Sequence, residues 1–199
     1  MGATVGDGVP TLGGQAGVNT LDMSHISAAA TVNLATGTAT SAQTSAATLV
    51  SIQNVISGLG NDPITGDANS NVFFAAVGDG NDSYTGGGGV DTYDLSLTAA
   101  GTTVNLGLGT ATGADTGTDT LVGINNVVGS KGDDRFVVAA GDGNNSYNGG
   151  LGTDTYDLSA TSAAAIVDLT KTSAQMISID AGIDTLTAVE NVVGGSGAD

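Results

Sequence analysis

Internal repetition constrains this chain more than any other feature. TLDMS (20–24), TYDLS (92–96) and TYDLS (155–159) each open a unit, and IQNVISG (52–58), INNVVGS (124–130) and VENVVGG (189–195) follow in the same order. Asp22 to Asn54 and Asp94 to Asn126 both span 32 residues, and Asp157 to Asn191 spans 34. Between these anchors lie TVNLATGTAT (31–40), TVNLGLGTAT (103–112) and AIVDLTKTSA (165–174). The expectation is one elongated repeat domain over 1–199, with units at about 5–56, 57–128 and 129–193 and the start of a further repeat at 194–199.

A shorter register of nine runs between the longer blocks. GGGGVDTYD (86–94) and GGLGTDTYD (149–157) follow G-G-x-G-x-D-x-U-x, where U is apolar. VGDGNDSYT (77–85), AGDGNNSYN (140–148), SGLGNDPIT (57–65), GDANSNVFF (66–74) and GSKGDDRFV (129–137) match at most positions. Residues 5–13 and 14–22 align too, but have lost most of the acids. The stretch from Asn54 to Thr92 is 38 residues and that from Asn126 to Thr155 is 29, a difference of one nonapeptide. Loops rarely grow by a structural quantum, so the register predicts a repeating winding. Short β segments punctuated by glycine turns, with no 3.6-residue apolar period, predict an all-β chain. Six of the seven aromatics (Phe73, Tyr84, Tyr93, Phe136, Tyr147, Tyr156) stand at the U position, which predicts an inward slot. Asn54, Asn126 and Asn191 share one aligned position, as a stacked amide ladder or as surface turns.

Composition then excludes several functions. There are 20 acids against 3 bases, giving a net charge of −17, and every acid but Glu190 is Asp. A polyanion with only Lys131, Arg135 and Lys171 cannot neutralise a phosphate backbone, so nucleic acid is not expected as a partner. No apolar stretch has the length of a membrane span, and no membrane insertion is expected. With no Cys and a single His, His25, neither a disulfide scaffold nor a His-based zinc site is available. The chain has 33 Gly but is still 40% hydrophobic with only 2 Pro, which argues against disorder.

Asp and Gly in this pattern point to a hard cation. Glycine permits tight turns that aim carbonyls inward, and the Asp at position six adds a carboxylate. Two nonapeptides make an 18-residue winding, so successive turns stack at the strand spacing of about 4.8 Å. A cation between them would meet several oxygens and no nitrogen or sulfur, which suits calcium better than magnesium.

The two full matches, GGGGVDTYD and GGLGTDTYD, resemble the RTX (haemolysin-type) calcium-binding repeats. The nonapeptide runs that carry the resemblance cover roughly a third of the chain, and the blocks between them are similar to the spacers of large RTX surface proteins. The resemblance implies a right-handed parallel β-roll (β-solenoid) of stacked short strands, Ca2+ between successive turns, and export to the bacterial cell surface or medium. Carried over by position, the metal ligands would be Asp62, Asp82, Asp91, Asp134 and Asp154, with Asn71 and Asn145 as weaker equivalents. Asp79 and Asp142 stand at position three, where the family mostly uses the carbonyl. The expected turn pairs are 57–62 on 77–82, 66–71 on 86–91, and 129–134 on 149–154, giving two to four sites. Two-residue insertions, Ala75–Ala76 and Val138–Ala139, challenge the register. Pro10 and Asn19 at position six predict no site in the first pair. Asp115, Asp119, Asp168, Asp180 and Asp184 lie outside the register and read as ordinary solvated turns.

Other motifs fail: no EF-hand has its closing Glu, and no Walker or G-x-S-x-G element occurs. His25 between Asp22 and Ser24 has Leu97 and Ala160 as repeat equivalents and reads as drift, and no catalytic residues are expected. The expected function is a calcium-binding structural segment of a secreted or surface bacterial protein, of adhesin or surface-layer type, that folds on binding calcium outside the cell. Its partners would be calcium ions and neighbouring repeats of a parent chain, or head-to-tail copies of itself, since GGSGAD (194–199) stops within a nonapeptide. Alternatives are a self-assembling filament or surface-layer subunit, the accessory module of an RTX enzyme, and an ice-binding solenoid. The last needs regular threonine rows, of which TGTAT (36–40) and GTAT (109–112) are the sequence traces.

Overall fold

The computed structural model describes residues 11–171 and 174–199. The expectations placed on residues 5–10, Pro10 among them, lie outside the described residues. Among those described there is no helix, and so none long and apolar enough to cross a membrane. Short strands build two sheets, one of 12 strands and one of 9.

The chain shuttles between these sheets. β1 (Thr11–Gly13) lies in the larger and β2 (Thr20–Asp22) in the smaller, after which β3 (Ala30–Asn33), β4 (Thr38–Ser41) and β5 (Thr44–Val50) form an antiparallel meander in the larger. Strict alternation follows through β6 (Asn54–Ile56), β7 (Pro63–Thr65), β8 (Val72–Phe74), β9 (Ser83–Thr85) and β10 (Thr92–Asp94). β11 (Thr102–Asn105), β12 (Thr110–Gly113) and β13 (Gly117–Val122) make a second meander in the larger sheet. Alternation resumes with β14 (Asn126–Val128), β15 (Arg135–Ala139), β16 (Ser146–Asn148) and β17 (Thr155–Ala160). A third meander, β18 (Ala165–Val167), β19 (Ala174–Ser178) and β20 (Gly182–Thr187), falls in the smaller sheet before β21 (Asn191–Val193) returns to the larger.

The larger sheet runs β1-β5-β4-β3-β7-β9-β13-β12-β11-β15-β17-β21 and the smaller β18-β19-β20-β16-β14-β10-β8-β6-β2. Pairing is antiparallel inside the meanders and parallel between separate passes of the chain. The first two meanders are entered at their far strand and walked backwards: β3 pairs with β7 ahead, and β5 with β1 behind. The long blocks of the repeat are thus hairpins built into the sheets rather than loops outside them.

The U positions fill the space between the sheets. All six aromatics there are fully buried. They interdigitate from facing strands, with ring centroids 5.7 Å apart for Phe73–Tyr84, 5.3 Å for Tyr84–Tyr93, 5.2 Å for Phe136–Tyr147 and 5.6 Å for Tyr147–Tyr156. Such tilted pairs add about 0.5–1.5 kcal/mol each beyond their burial. This concentrates packing where the chain has its few large side chains.

Both insertions are absorbed without breaking the turn pairs. Ala75 and Val138 add buried apolar side chains, and β15 takes up its extra residues by a register shift against β17 between Val137 and Ala139. Of the two readings of the aligned asparagines, the stacked ladder does not form. Asn54 pairs with Thr20 and Val72, Asn126 with Thr92 and Ser146, and Asn191 with Thr155 in the other sheet. Aligned repeat positions are not adjacent, because whole nonapeptides intervene.

Candidate metal centre

All three expected turn pairs are formed, and their position-six side chains join them. The Asp62 amide donates to Asp82 Oδ1 (2.8 Å), the Asn71 amide to Asp91 Oδ1 (2.8 Å) and the Asp134 amide to Asp154 Oδ1 (2.7 Å). Spacer residues extend the same ladder. Asp82 donates to Asp119 Oδ1, Asp91 to Asn125 Oδ1, Asn145 to Asp184 Oδ1 and Asp154 to Glu190 Oε2, at 2.8–3.0 Å. A reciprocal ladder runs beside it at position five, where the Asn81, Val90 and Thr153 amides donate back to Asn61 Oδ1, Ser70 Oγ and Asp133 Oδ1. The position-six side chains are therefore buried struts between passes, not solvated turn residues.

The turns fall into two kinds. In 57–62, 66–71 and 129–134 the position-six side chain also accepts the position-two amide of its own turn: Gly58 to Asp62 Oδ2, Asp67 to Asn71 Oδ1 and Ser130 to Asp134 Oδ2. No residue of these three turns has positive φ. In 77–82, 86–91, 140–145 and 149–154 the residues at positions two and four are glycines with φ between 76° and 121°. That conformation turns the position-two amide away. In the two full matches the consequence is a buried carboxylate oxygen without a donor, Asp91 Oδ2 and Asp154 Oδ2.

Each of these oxygens converges with a carbonyl on the bare Cα of a position-one glycine. A Cβ on Gly86 would lie 2.3 Å from Asp91 Oδ2 and 2.4 Å from the Gly123 carbonyl oxygen. On Gly149 it would lie 2.3 Å from Asp154 Oδ2 and 1.9 Å from that of Ala188. The same crowding recurs at Gly66 and Gly129, so what sets the Gly86 and Gly149 turns apart is the carboxylate oxygen without a donor, and there the neighbouring turn is the spacer loop rather than the expected nonapeptide.

The position-three acids point inward as well. Asp79 Oδ2 accepts the Ala76 amide (2.7 Å) and the Ser57 hydroxyl (2.9 Å), and Asp142 Oδ2 accepts the Ala139 amide (3.0 Å). The Oδ1 of each is buried without a donor. Asp82 Oδ2 accepts the Tyr84 hydroxyl at 2.8 Å, and Tyr93 and Tyr156 donate likewise to Asp119 and Asp184. Burial pushes the carboxyls of Asp79, Asp82 and Asp119 up to about 7 and those of Asp154 and Asp184 to about 6, against backbone and side-chain donors that lower them. Burial raises Asp62, Asp91, Asp134 and Asp142 in the same direction. Among the described residues no base pairs with these acids: Arg135 is bound to Asp157, Lys171 lies 3.5 Å from Asp168, and Lys131, although within turn 129–134, makes no ion pair.

Asp119 and Asp184 correct the reading of the spacers, because both are fully buried and act as position-six residues. The signal was present in GTDTL (117–121) and GIDTL (182–186), two related segments in corresponding spacers. Asp115 and Asp180 clamp the neighbouring turn, accepting amide pairs from Ala99–Ala100 and Ser162–Ala163, as Gln43 does from Ser27–Ala28. Glu190, which closes no EF-hand loop, accepts the Asp154 amide.

Among the described residues no three Asp, Glu or His side chains gather as a metal-binding group. Any cation here would take one or two carboxylates and depend on carbonyl oxygens for the rest. No known family model matches the chain, and no curated protein matches it.

Proposed function

We propose that this chain is a calcium-binding structural module, a right-handed parallel β-roll of the RTX kind from a secreted or surface-attached bacterial protein of adhesin or surface-layer type. The observation that carries the reading is that the two full-motif turns alone, among the position-six acids, hold a buried carboxylate oxygen with no donor. A buried, unpaired carboxylate is costly, and it is relieved by a proton or a cation. Asp91 with the Gly123 carbonyl, and Asp154 with the Ala188 carbonyl, would hold the ions. Calcium would supply the positive charge that the sequence lacks around its turns.

The role is folding rather than catalysis. Without the ion, the carboxylates repel one another and desolvation opposes the stacked turns; with it, binding free energy becomes folding free energy. Low calcium inside the cell would keep the chain extended for export, and higher calcium outside would fold it. Affinity on the order of 0.1–1 mM would suit an extracellular module.

Calorimetric titration with calcium tests this. Two bound ions are expected, with one lost in Asp91→Asn and one in Asp154→Asn. Absence of calcium binding at about tenfold above that range, or unchanged stoichiometry in both variants, would overturn the assignment.

A further inference from the structure

The third meander carries an apolar row on its outer face that the other two lack. Strand pairing sets Ile166 of β18 beside Ile177 of β19, and Ile177 beside Ile183 of β20. Their chain neighbours Ala165, Met176 and Asp184 are buried, so the three isoleucines point away from the core. They are 72%, 52% and 52% exposed, and Ile179, two residues beyond Ile177, is 97% exposed. In the second meander the same paired positions hold Thr103, Thr112 and Thr118, and in the first Thr31 pairs with Thr40. The fold therefore accepts threonine there, and a β-branched residue of either kind serves the strand. Leu108 and Leu151 are comparably exposed but stand on separate turns, where a single apolar residue calls for no explanation.

Area and charge say what covers this face. Adjacent isoleucines at these exposures form an apolar patch on the scale of the largest that monomeric proteins show, about 300–600 Å². Two such patches face to face bury about 1,000 Å², the area that a specific interface has to reach. The two ends of the meander differ in charge. Lys171 follows β18 with a mostly exposed side chain, only loosely paired with Asp168 at 3.5 Å. Asp180 lies in the β19–β20 turn at the other end, where the Ser178 hydroxyl and the Ser162 and Ala163 amides keep its carboxylate ionised. A two-fold axis along the strands would set Lys171 against Lys171 and Asp180 against Asp180. An axis across the strands sets each Lys171 end over the partner's Asp180 end, so the patch complements itself in one arrangement.

We propose that the isoleucine row is a self-association face: two copies of this chain pack their third meanders face to face, strands antiparallel, about a two-fold axis. Two sheet faces of branched side chains interdigitate at about 10 Å. The contact uses the same patch on both copies and closes at two, unlike a head-to-tail stack. It is set by the register of β18–β20, so the proposal does not depend on which turns hold calcium.

Sedimentation velocity over a range of concentrations tests it, on protein whose β signal in circular dichroism is complete. The wild-type chain is expected to behave as a reversible monomer–dimer system with nothing larger. Ile177→Thr combined with Ile183→Thr, the residue type that the second meander carries at these positions, should weaken the dimer by more than about tenfold with the β signal unchanged. Leu108→Thr should leave it intact. Lys171→Glu should weaken it more than Lys131→Glu, which makes the same change of charge on another turn. Folded protein that stays monomeric throughout would overturn the proposal, as would open-ended assembly or a dimer indifferent to the isoleucine substitutions. Equal effects of the two lysine substitutions would overturn the antiparallel arrangement. Monomer that floats with phosphatidylcholine vesicles would overturn the proposal in favour of a lipid surface. The dichroism control separates these failures from a failure of calcium-coupled folding.

Discussion

At the scale of single residues, the buried Tyr–Asp contacts explain a correlated difference among the repeats. Tyr93 bonds to Asp119 and Tyr156 to Asp184, while the first unit has Leu21 and Ala47 at the equivalent places. Ring hydroxyl and carboxylate are present together or absent together, because either one alone is an unsatisfied polar group in the core. Tyr93→Leu is therefore expected to cost about 1–3 kcal/mol in denaturant unfolding. Tyr93→Leu with Asp119→Ala should cost clearly less than the sum of the two singles, and strict additivity would contradict the pairing. Proton uptake belongs to the same residues. With Asp79, Asp82 and Asp119 pushed to about 7 in the fold, against 3.8 as the ordinary value, the folded state binds more protons between about pH 4 and 7. In a chelator, the β signal in circular dichroism should accordingly be retained best near pH 5 and lost as pH rises to 8. A β signal that grows with pH in the chelator would contradict the burial of these acids. The inward rings were legible in the sequence because they share a register of nine. For Asp119 and Asp184 the recurrence of GTDTL and GIDTL marked equivalence but not burial, because their partners are 37 and 39 residues away and reach them only through a hairpin.

At the scale of turns and strands, the two ladders give positions five and six of the nonapeptide distinct duties. Position six reaches back to the previous turn, and position five receives the amide of the next. This explains why Val90 and Thr153 suffice at position five of the last nonapeptide in each run: they donate and are not asked to accept. Asn81 is asked, by the Thr118 amide at 2.7 Å. Asn81→Ala is expected to cost about 1 kcal/mol and Val90→Ala close to nothing, both read from unfolding midpoints; equal costs would contradict the ladder. The position-one glycines are fixed by contact rather than by φ. A Cβ on Gly149 would lie 1.9 Å from the Ala188 carbonyl oxygen, whereas one on Gly88 meets nothing nearer than 3.4 Å. Gly149→Ala should unfold the turn or shift the third meander, and Gly88→Ala should be tolerated, with amide exchange as the readout. The stacking of turns was legible from spacing alone. The meanders were not, because T-V-N-L and T-A-T segments show only a few residues of alternation, and that does not say which sheet they will join.

At the scale of the whole molecule, a chain with few aromatics and an excess of acids is assembled from many short strands. Most strands bury one or two apolar side chains, and most nonapeptide turns bury a carboxylate that costs free energy to desolvate. The proposed calcium ions offset part of that cost, at Asp91 and Asp154 first, and their two positive charges each reduce the net −17. The first unit has Asn19 at position six and Leu21–Ala47 in the core, with no comparable load of buried acid. Its stability should depend less on the ion than that of the second and third units, measurable as smaller calcium-dependent changes in amide exchange for β2–β6 than for β8–β17. Uniform calcium dependence along the chain would contradict that gradient. The central claim is that binding and folding are one event, and far-UV circular dichroism at neutral pH tests it most directly. Titration of chelated protein with calcium should produce most of the β signal in a cooperative transition that magnesium at equal concentration does not reproduce; a β signal already complete in the chelator would contradict calcium-coupled folding.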